Sequence, residues 1–244
     1  MPVAPDAFRH VPELADRVVA PEASRFRNMH ARYAEFDARA AAEGRPEDWR
    51  LTHAAREATR RAALAGRTGD LWIFAYGSLI WDPGLDVAEL RRGCATGWAR
   101  SFCLHLDGGR GSPDAPGLMC ALAEAPGADC HGLALRIAAA AVEAETERLW
   151  MREMIVGSYI PRFIPVETCR GPVEGLIFSA NPAHPRTVTD LPDAETARRI
   201  AHATGPLGDN FEYLDNLVVH LAALGMADPG LEALHARCLR LRRT

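Results

Sequence analysis

A change in the sequence pattern near residue 68 constrains the fold of this 244-residue chain more than any other feature. Before it, the chain is charged, rich in alanine and helical in its hydrophobic spacing. After it, short apolar runs alternate with turn signals, and helical patterns return toward the end. Strands followed by helices predict an α+β domain. We therefore expect a helical extension over residues 1–67 and an α+β domain over residues 68–244.

The extension carries one regular apolar stripe. Phe26, Met29, Tyr33 and Phe36 recur at spacings of three, four and three, which places them on one face of a helix. A stripe of this kind favours a helix that docks on the main domain, and a contact between two copies of the chain is the alternative. A second helix is predicted over residues 49–64.

The domain begins with a continuous apolar run, Leu71–Ala75, which predicts a buried strand. Further strands are predicted at residues 97–105, 118–123, 132–137, 162–167 and 174–179, several of them separated by turn signals such as 125–127. A helix is predicted over 138–155. Three more helices are predicted near the end of the chain. The first covers residues 192–204, the second starts with Asn210 as its N-cap and ends at 225, and the third follows Pro229.

The overall composition is that of a soluble globular protein. Hydrophobic residues make up 48% of the chain, charged residues 25%, and the net charge is −4. This balance argues against a nucleic-acid partner, and the arginine-rich residues 237–243 are interpreted as a solvated helix end. No apolar run approaches the ~18–20 residues that span a bilayer, and no secretory signal is apparent, so we expect a cytoplasmic protein without membrane contact. The oligomeric state, monomer or dimer, stays open.

The six cysteines are scattered and include no C-x-x-C pair. We expect free and mostly buried thiols, and no metal site. Cys103 and His105 alternate along one predicted strand and would share a face, which is more typical of packing than of a nucleophile pair. His131 beside Cys130 lacks further ligands, and no nucleotide-binding motif is present.

The first candidate site directly follows the first predicted strand. Gly77 allows the backbone to turn sharply and to approach a ligand closely. Successive backbone N–H groups in such a turn can bind an anion, and Tyr76 and Ser78 add hydroxyl groups. The glycines of a nucleophile elbow are absent around Ser78, which argues against a serine nucleophile. A turn without function is the alternative.

The second candidate is Glu153, near the end of the inserted helix. Its sequence neighbours include Trp150, Met151, Met154 and Ile155. A carboxyl group among apolar side chains has a raised pKa, which suits an acid–base catalyst. The alternative is a surface glutamate paired with an arginine.

Together, these segments carry a resemblance to a known family. Residues 72–81 resemble the opening signature of the ChaC family, and segments 97–102, 110–118, 152–159 and 210–214 resemble its later motifs in the same order. The resemblance spans residues 71–239. Ala75 is a departure, since many relatives have glycine before the tyrosine, and this puts fine substrate preference in doubt.

The resemblance implies a small mixed β-barrel with flanking helices and a cofactor-free γ-glutamylcyclotransferase. Such an enzyme converts glutathione into 5-oxoproline and Cys-Gly. Glu153 would be the catalytic residue. The implied substrate-binding residues are Ala75, Tyr76, Gly77, Ser78, Leu79 and Ile80, and the backbone N–H groups of residues 76–80 would hold the α-carboxylate of the substrate. Arg100 and Tyr159 are further candidates for substrate contact, with a structural role as the alternative. Two alternatives stay open: another γ-glutamyl amine or dipeptide as substrate, and a non-catalytic regulatory module linked to cation transport.

Overall fold

The structure is a computed structural model that describes residues 5–243. Its helices are α1 (Met29–Ala42), α2 (His53–Leu64), α3 (Val142–Glu153), α4 (Asp193–His202), α5 (Asn210–Ala223) and α6 (Pro229–Leu241). Its strands are β1 (Leu71–Ala75), β2 (Glu89–Leu106), β3 (Gly117–Ile137), β4 (Tyr159–Thr168), β5 (Val173–Ala180), β6 (Thr204–Gly205) and β7 (Gly208–Asp209). Short 3-10 turns occur at Pro5–Phe8, Pro12–Leu14, Pro21–Ala23, Ser78–Ile80 and Ala139–Ala141.

Five strands close into a barrel in the order β1-β3-β2-β4-β5. Neighbours in this order are antiparallel, and the barrel closes where β5 runs parallel to β1, with Trp72 opposite Gly175. The expected α+β class and the small mixed barrel with flanking helices are confirmed. Within residues 5–243, no helix is long and apolar enough to cross a membrane.

The barrel is dominated by a long antiparallel pair, β2 of 18 residues and β3 of 21 residues. The turn expected at 125–127 is wrong, because β3 runs through it and joins two predicted strands. The pairing jumps there from Trp98–Glu124 to Thr96–Asp129, and Gly127 has φ +84°. Pro126 and Gly127 therefore form an irregular bulge, a place where a strand tolerates both residue types.

The N-terminal segment shares the core of the barrel. Phe8, Val11 and Leu14 are buried in the same apolar cluster as Ile73 and Leu135. Burial of a large apolar side chain contributes roughly 1.5–3 kcal/mol, so these contacts hold the segment firmly against the strands. The boundary near residue 68 separates helices from strands in the sequence, and the core extends across it.

The apolar stripe docks on the end of α3 as expected, although Phe26 lies before α1, because the Asn28 side chain caps the helix start by accepting from the Ala31 N–H. Met29 and Tyr33 are buried against Met151, with Phe26 and Phe36 packed at the edge. The Tyr33 hydroxyl donates to the Met151 carbonyl at 2.5 Å. That carbonyl lies in the last turn of α3, where backbone acceptors lack helical partners, so Tyr33 satisfies one of them.

Two helix starts differ from the prediction. α2 begins at His53 rather than near residue 49, because the Thr52 hydroxyl caps it by accepting from the Ala55 N–H at 3.1 Å. Asp209, not Asn210, caps α5 and accepts from the Phe211 N–H at 2.8 Å. Asn210 is fully buried, and its amide instead bonds both backbone groups of Leu118 on β3 at 2.8 and 2.9 Å. Asn210, which the sequence pattern predicts as a helix cap, thus bridges α5 to β3, and the residue before it caps the helix.

Candidate active site

A cavity of about 320 Å³ opens beside the end of β1. The segment after β1, the end of α3, the start of β4 and α5 all contribute to its walls. Its lining includes Tyr76, Gly77, Ser78, Leu79, Arg152, Glu153, Tyr159 and Tyr213. The cavity brings together the predicted catalytic glutamate and most of the predicted binding residues.

The segment after β1 presents a short row of backbone donors. It folds into a 3-10 turn at Ser78–Ile80, where the Ile80 N–H donates to the Gly77 carbonyl at 2.9 Å. The N–H groups of Gly77, Ser78 and Leu79 have no hydrogen-bond partner within residues 5–243. Of the backbone donors expected to bind an anion over residues 76–80, the Ile80 N–H is therefore not available to a ligand, because the turn itself uses it.

Glycine is required at position 77 because the Tyr213 side chain of α5 lies directly against the backbone there. A side-chain carbon added at this position would lie 2.6 Å from the Tyr213 hydroxyl oxygen, well inside van der Waals contact. The φ angle of Gly77 is −134°, so the requirement is space rather than a left-handed backbone. Tyr213 is buried and lines the cavity, although the sequence pattern marked only the start of its helix as a family motif.

Glu153 is the last residue of α3 and reaches the cavity from the helix end. Its side chain is 15% exposed, and its Oε1 lies 3.0 Å from the Nε of Arg152. Burial raises the pKa of the Glu153 carboxyl above its ordinary value, and the charge of Arg152 opposes this increase. The balance suits a carboxyl group that both accepts and returns a proton.

Arg152 joins the end of α3 to the segment after β1. One guanidinium nitrogen donates to the carbonyls of Asp82 and Pro83, at 2.5 and 3.0 Å. The other terminal nitrogen donates to the Ser78 hydroxyl at 2.7 Å. Arg152 is not among the site residues predicted from the sequence, although it stands beside Glu153 in the same motif. Its contacts hold the carboxyl group and the backbone donors in one fixed arrangement.

Three phenols surround this arrangement. The Tyr76 hydroxyl donates to the Phe178 carbonyl at 2.5 Å, and the Tyr159 hydroxyl donates to the Cys120 carbonyl at 3.2 Å. The hydroxyl of Tyr213 has no hydrogen-bond partner among the described residues. Burial raises the pKa of all three phenols well above its ordinary value, and the nearby charge of Glu153 adds to the effect. All three therefore remain protonated hydrogen-bond donors.

Three of the predicted binding residues lie outside the cavity lining. Ala75 and Ile80 are fully buried in the apolar core beneath it. Arg100 lines a different cavity, where it donates to the Tyr76 carbonyl at 2.7 Å and pairs with Asp228 at 2.9 Å. The structure thus gives Arg100 a supporting position behind the site, because its charge is directed at protein groups.

The shared face expected for Cys103 and His105 is wrong. A register shift between Phe102 and Leu104 interrupts the alternation of β2, and Cys103 and His105 line different cavities. The six cysteines are free thiols, four of them buried. No cluster of metal-ligating side chains occurs in the part of the chain that the structure describes.

The family described as ChaC-like protein matches residues 71–240. A glutathione-specific γ-glutamylcyclotransferase of Escherichia coli is 42% identical over 182 residues, which cover 73% of this chain and 78% of the relative. A zebrafish protein named glutathione-specific γ-glutamylcyclotransferase 1 is 31% identical, with 72% of this chain and 92% of the relative covered. The crystal structure of a yeast glutathione-specific enzyme is similar in fold, with a TM-score of 0.66, 21% identity, and coverage of 72% and 98%.

The close approach of Tyr213 can be tested by Gly77→Ala. The added methyl group meets the Tyr213 hydroxyl, so we expect the free energy of unfolding to fall by about 1–3 kcal/mol. In a Tyr213→Phe background the nearest remaining ring atom is 3.9 Å away, and the same substitution should cost much less. Denaturant unfolding of the four proteins measures the difference, and Gly230→Ala in α6 is the control. An equal cost in both backgrounds would contradict the assigned contact.

The burial of Glu153 has a consequence for stability. Its pKa is raised in the folded state, so its contribution to stability is complete below the ordinary value of ~4.3 and is lost as the pH rises through the folded-state pKa. Glu153→Gln keeps the shape without the charge. We expect the variant to match the wild type near pH 4 and to be more stable at neutral pH, measured by thermal unfolding. Glu147→Gln, exposed on the same helix, is the control. A wild type that is the more stable at neutral pH would refute the expectation.

Proposed function

The chain belongs to the ChaC-like protein family, and from this premise we propose that it is a γ-glutamylcyclotransferase that converts glutathione into 5-oxoproline and Cys-Gly. The relatives named above carry this activity and this substrate in their names. The observation that carries the proposal is the pairing, in one cavity, of a buried carboxyl group with unpartnered backbone donors. Glu153 supplies the first, and residues 77–79 supply the second.

The backbone donors suit the α-carboxylate of the γ-glutamyl group. We assign this carboxylate to the N–H groups of Gly77, Ser78 and Leu79, which lack protein partners within residues 5–243. Adjacent backbone N–H groups bind anions without a charged side chain. Holding this end of the substrate folds the γ-glutamyl chain so that its α-amine meets its own γ-carbonyl. Such alignment can save roughly 7–11 kcal/mol of activation free energy.

Glu153 then moves the proton. The α-amine has a pKa near or above ~8 and is mostly protonated at neutral pH, so it needs a base before it can attack. The amine nitrogen forms a bond to the γ-carbonyl carbon, and the bond from that carbon to the cysteine nitrogen breaks. Glu153 takes one proton from the amine before the attack and a second as the ring closes. Both protons pass to the cysteine nitrogen, which leaves as the ammonium group of Cys-Gly, while the ring nitrogen keeps one hydrogen. The atoms balance without water, an oxidant or a metal.

Negative charge develops on the γ-carbonyl oxygen during the attack. Tyr213 is our candidate donor for this oxygen, because its hydroxyl is protonated, lines the cavity and has no other described partner. Tyr159 remains a proposed substrate contact, with a hydroxyl that is already directed at a backbone carbonyl. A fixed donor at such a position typically contributes about 3–4 kcal/mol to the transition state.

The reaction is redox-neutral, which agrees with an enzyme that needs no cofactor. We also propose a cytoplasmic location, because the six cysteines are unpaired thiols, as in a reducing compartment. Two other functions stay testable. The same chemistry could serve another γ-glutamyl amine or dipeptide, and a non-catalytic module would bind without turnover.

The direct test is to incubate the purified protein with glutathione and to follow both products by mass spectrometry. We expect 5-oxoproline and Cys-Gly in equal amounts. Glu153→Gln should lower kcat by ~10²–10⁴, since it removes the acid–base group, and should still bind glutathione in calorimetry. Glu147→Gln should retain full activity.

Each outcome has a distinct meaning. Retained turnover in Glu153→Gln would assign the proton transfer to another group. Formation of 5-oxoproline from γ-Glu-Ala but not from glutathione would keep the chemistry and replace the substrate. Binding with no 5-oxoproline from any γ-glutamyl compound would favour the non-catalytic module.

A further inference from the structure

The N-terminal segment forms one wall of the active-site cavity. Its contributions to the lining include Arg25, Phe26, Phe36, Arg39, Arg45 and Trp49. All of these residues precede residue 71, where the match to the family begins. The cavity therefore has one part inside the region that matches the family and one part outside it.

This wall is fixed to the rest of the molecule at several points. Arg45 donates to the Asp107 carboxylate at 3.0 Å and to the Asp107 carbonyl at 2.6 Å. The Leu51 N–H donates to the Ile155 carbonyl at 2.8 Å, two residues after Glu153. The ring of Phe26 lies against the Arg152 guanidinium, 4.1 Å from ring centre to charge. These contacts fix the position of the N-terminal wall relative to Glu153 and Arg152.

Most arginines of the cavity are neutralised by the protein itself. Arg45 and Arg186 share Asp107, Arg110 pairs with Glu212, and Arg152 pairs with Glu153.

Two arginines of this N-terminal wall are different. Arg39 is exposed, and its side chain has no hydrogen-bond or ion-pair partner within residues 5–243. Within residues 5–243 the Arg25 side chain makes a single hydrogen bond, to the Leu207 carbonyl at 3.3 Å. Both residues line the cavity, and their side chains retain donors for an anionic ligand.

The chemistry of the proposed substrate matches this surplus of positive charge. Glutathione carries two carboxylates, one on the γ-glutamyl group and one on the glycine at the other end. The backbone donors of residues 77–79 are assigned to the first, which leaves the second without a partner. A planar guanidinium binds a carboxylate through two parallel hydrogen bonds, so arginine is well suited to this role.

We infer that Arg39 and Arg25 bind the glycine carboxylate of the substrate and select γ-glutamyl peptides that end in a free carboxylate. The inference rests on the proposed function. The glycine carboxylate is remote from the bond that breaks, so its binding contributes equally to the ground state and the transition state. Its loss should therefore raise KM and leave kcat nearly unchanged.

The test compares two substrates, glutathione and glutathione esterified at its glycine carboxylate. We expect Arg39→Gln to raise KM for glutathione about fivefold and the double variant Arg25→Gln/Arg39→Gln about 20-fold, with kcat within about twofold of wild type. The ester should show a raised KM with the wild type already. Neither substitution should raise it further, so the double variant should no longer distinguish the two substrates.

Arg61→Gln is the matched control, because Arg61 lies on α2, is 77% exposed and is outside the cavity lining. An unchanged KM for glutathione in the double variant would overturn the inference, and so would an equal increase for glutathione and its ester. In either case wild-type turnover of glutathione would leave the proposed function intact. Absence of 5-oxoproline with the wild type would instead remove the proposed function and this inference together.

Discussion

The ion pair and hydrogen bonds of Arg152 are the contacts on which the site depends. The guanidinium is almost fully buried, and it binds two backbone carbonyls after the first barrel strand, the Ser78 hydroxyl and the Glu153 carboxylate. A buried charge is tolerated only when nearby groups compensate it, and this one is compensated from two separate parts of the chain. These contacts fix the position of the end of α3 relative to the segment after β1. The spacing between the acid–base group and the backbone donors follows from this one side chain.

The same interaction sets the chemistry of Glu153. Burial alone would favour a permanently protonated acid, and an unscreened pairing with Arg152 would favour a permanently ionised one. The carboxyl group lies between these limits, with burial the larger influence. A group that must take a proton from an amine and return it to another amine needs such a balance. The environment of one carboxyl group thus connects the fold to the proposed cyclisation, and the cost of burying it falls on the stability of the folded chain.

Local patterns in the sequence predicted the parts of the fold that local physics controls. The apolar run Leu71–Ala75 forms a buried strand, and the apolar stripe at the start of α1 packs against α3, as their spacing indicates. Features that depend on distant segments could not be predicted in this way. Position 77 has room only for glycine because the Tyr213 hydroxyl, from a helix far along the chain, lies against it. Arg100 lies behind the site because it binds Asp228 and the Tyr76 carbonyl.

The central claim is that the buried Glu153 carboxylate is the base that starts the reaction, and the pH dependence of kcat/KM for glutathione tests it most directly. This parameter reports the ionisation of the free enzyme, and the base works only when ionised. Because the folded protein raises the pKa of Glu153, activity should fall on the acid side with an apparent pKa clearly above the ordinary glutamate value of ~4.3. An acid-side fall at or below that ordinary value, or a rate that follows hydroxide concentration with no such fall, would contradict the account.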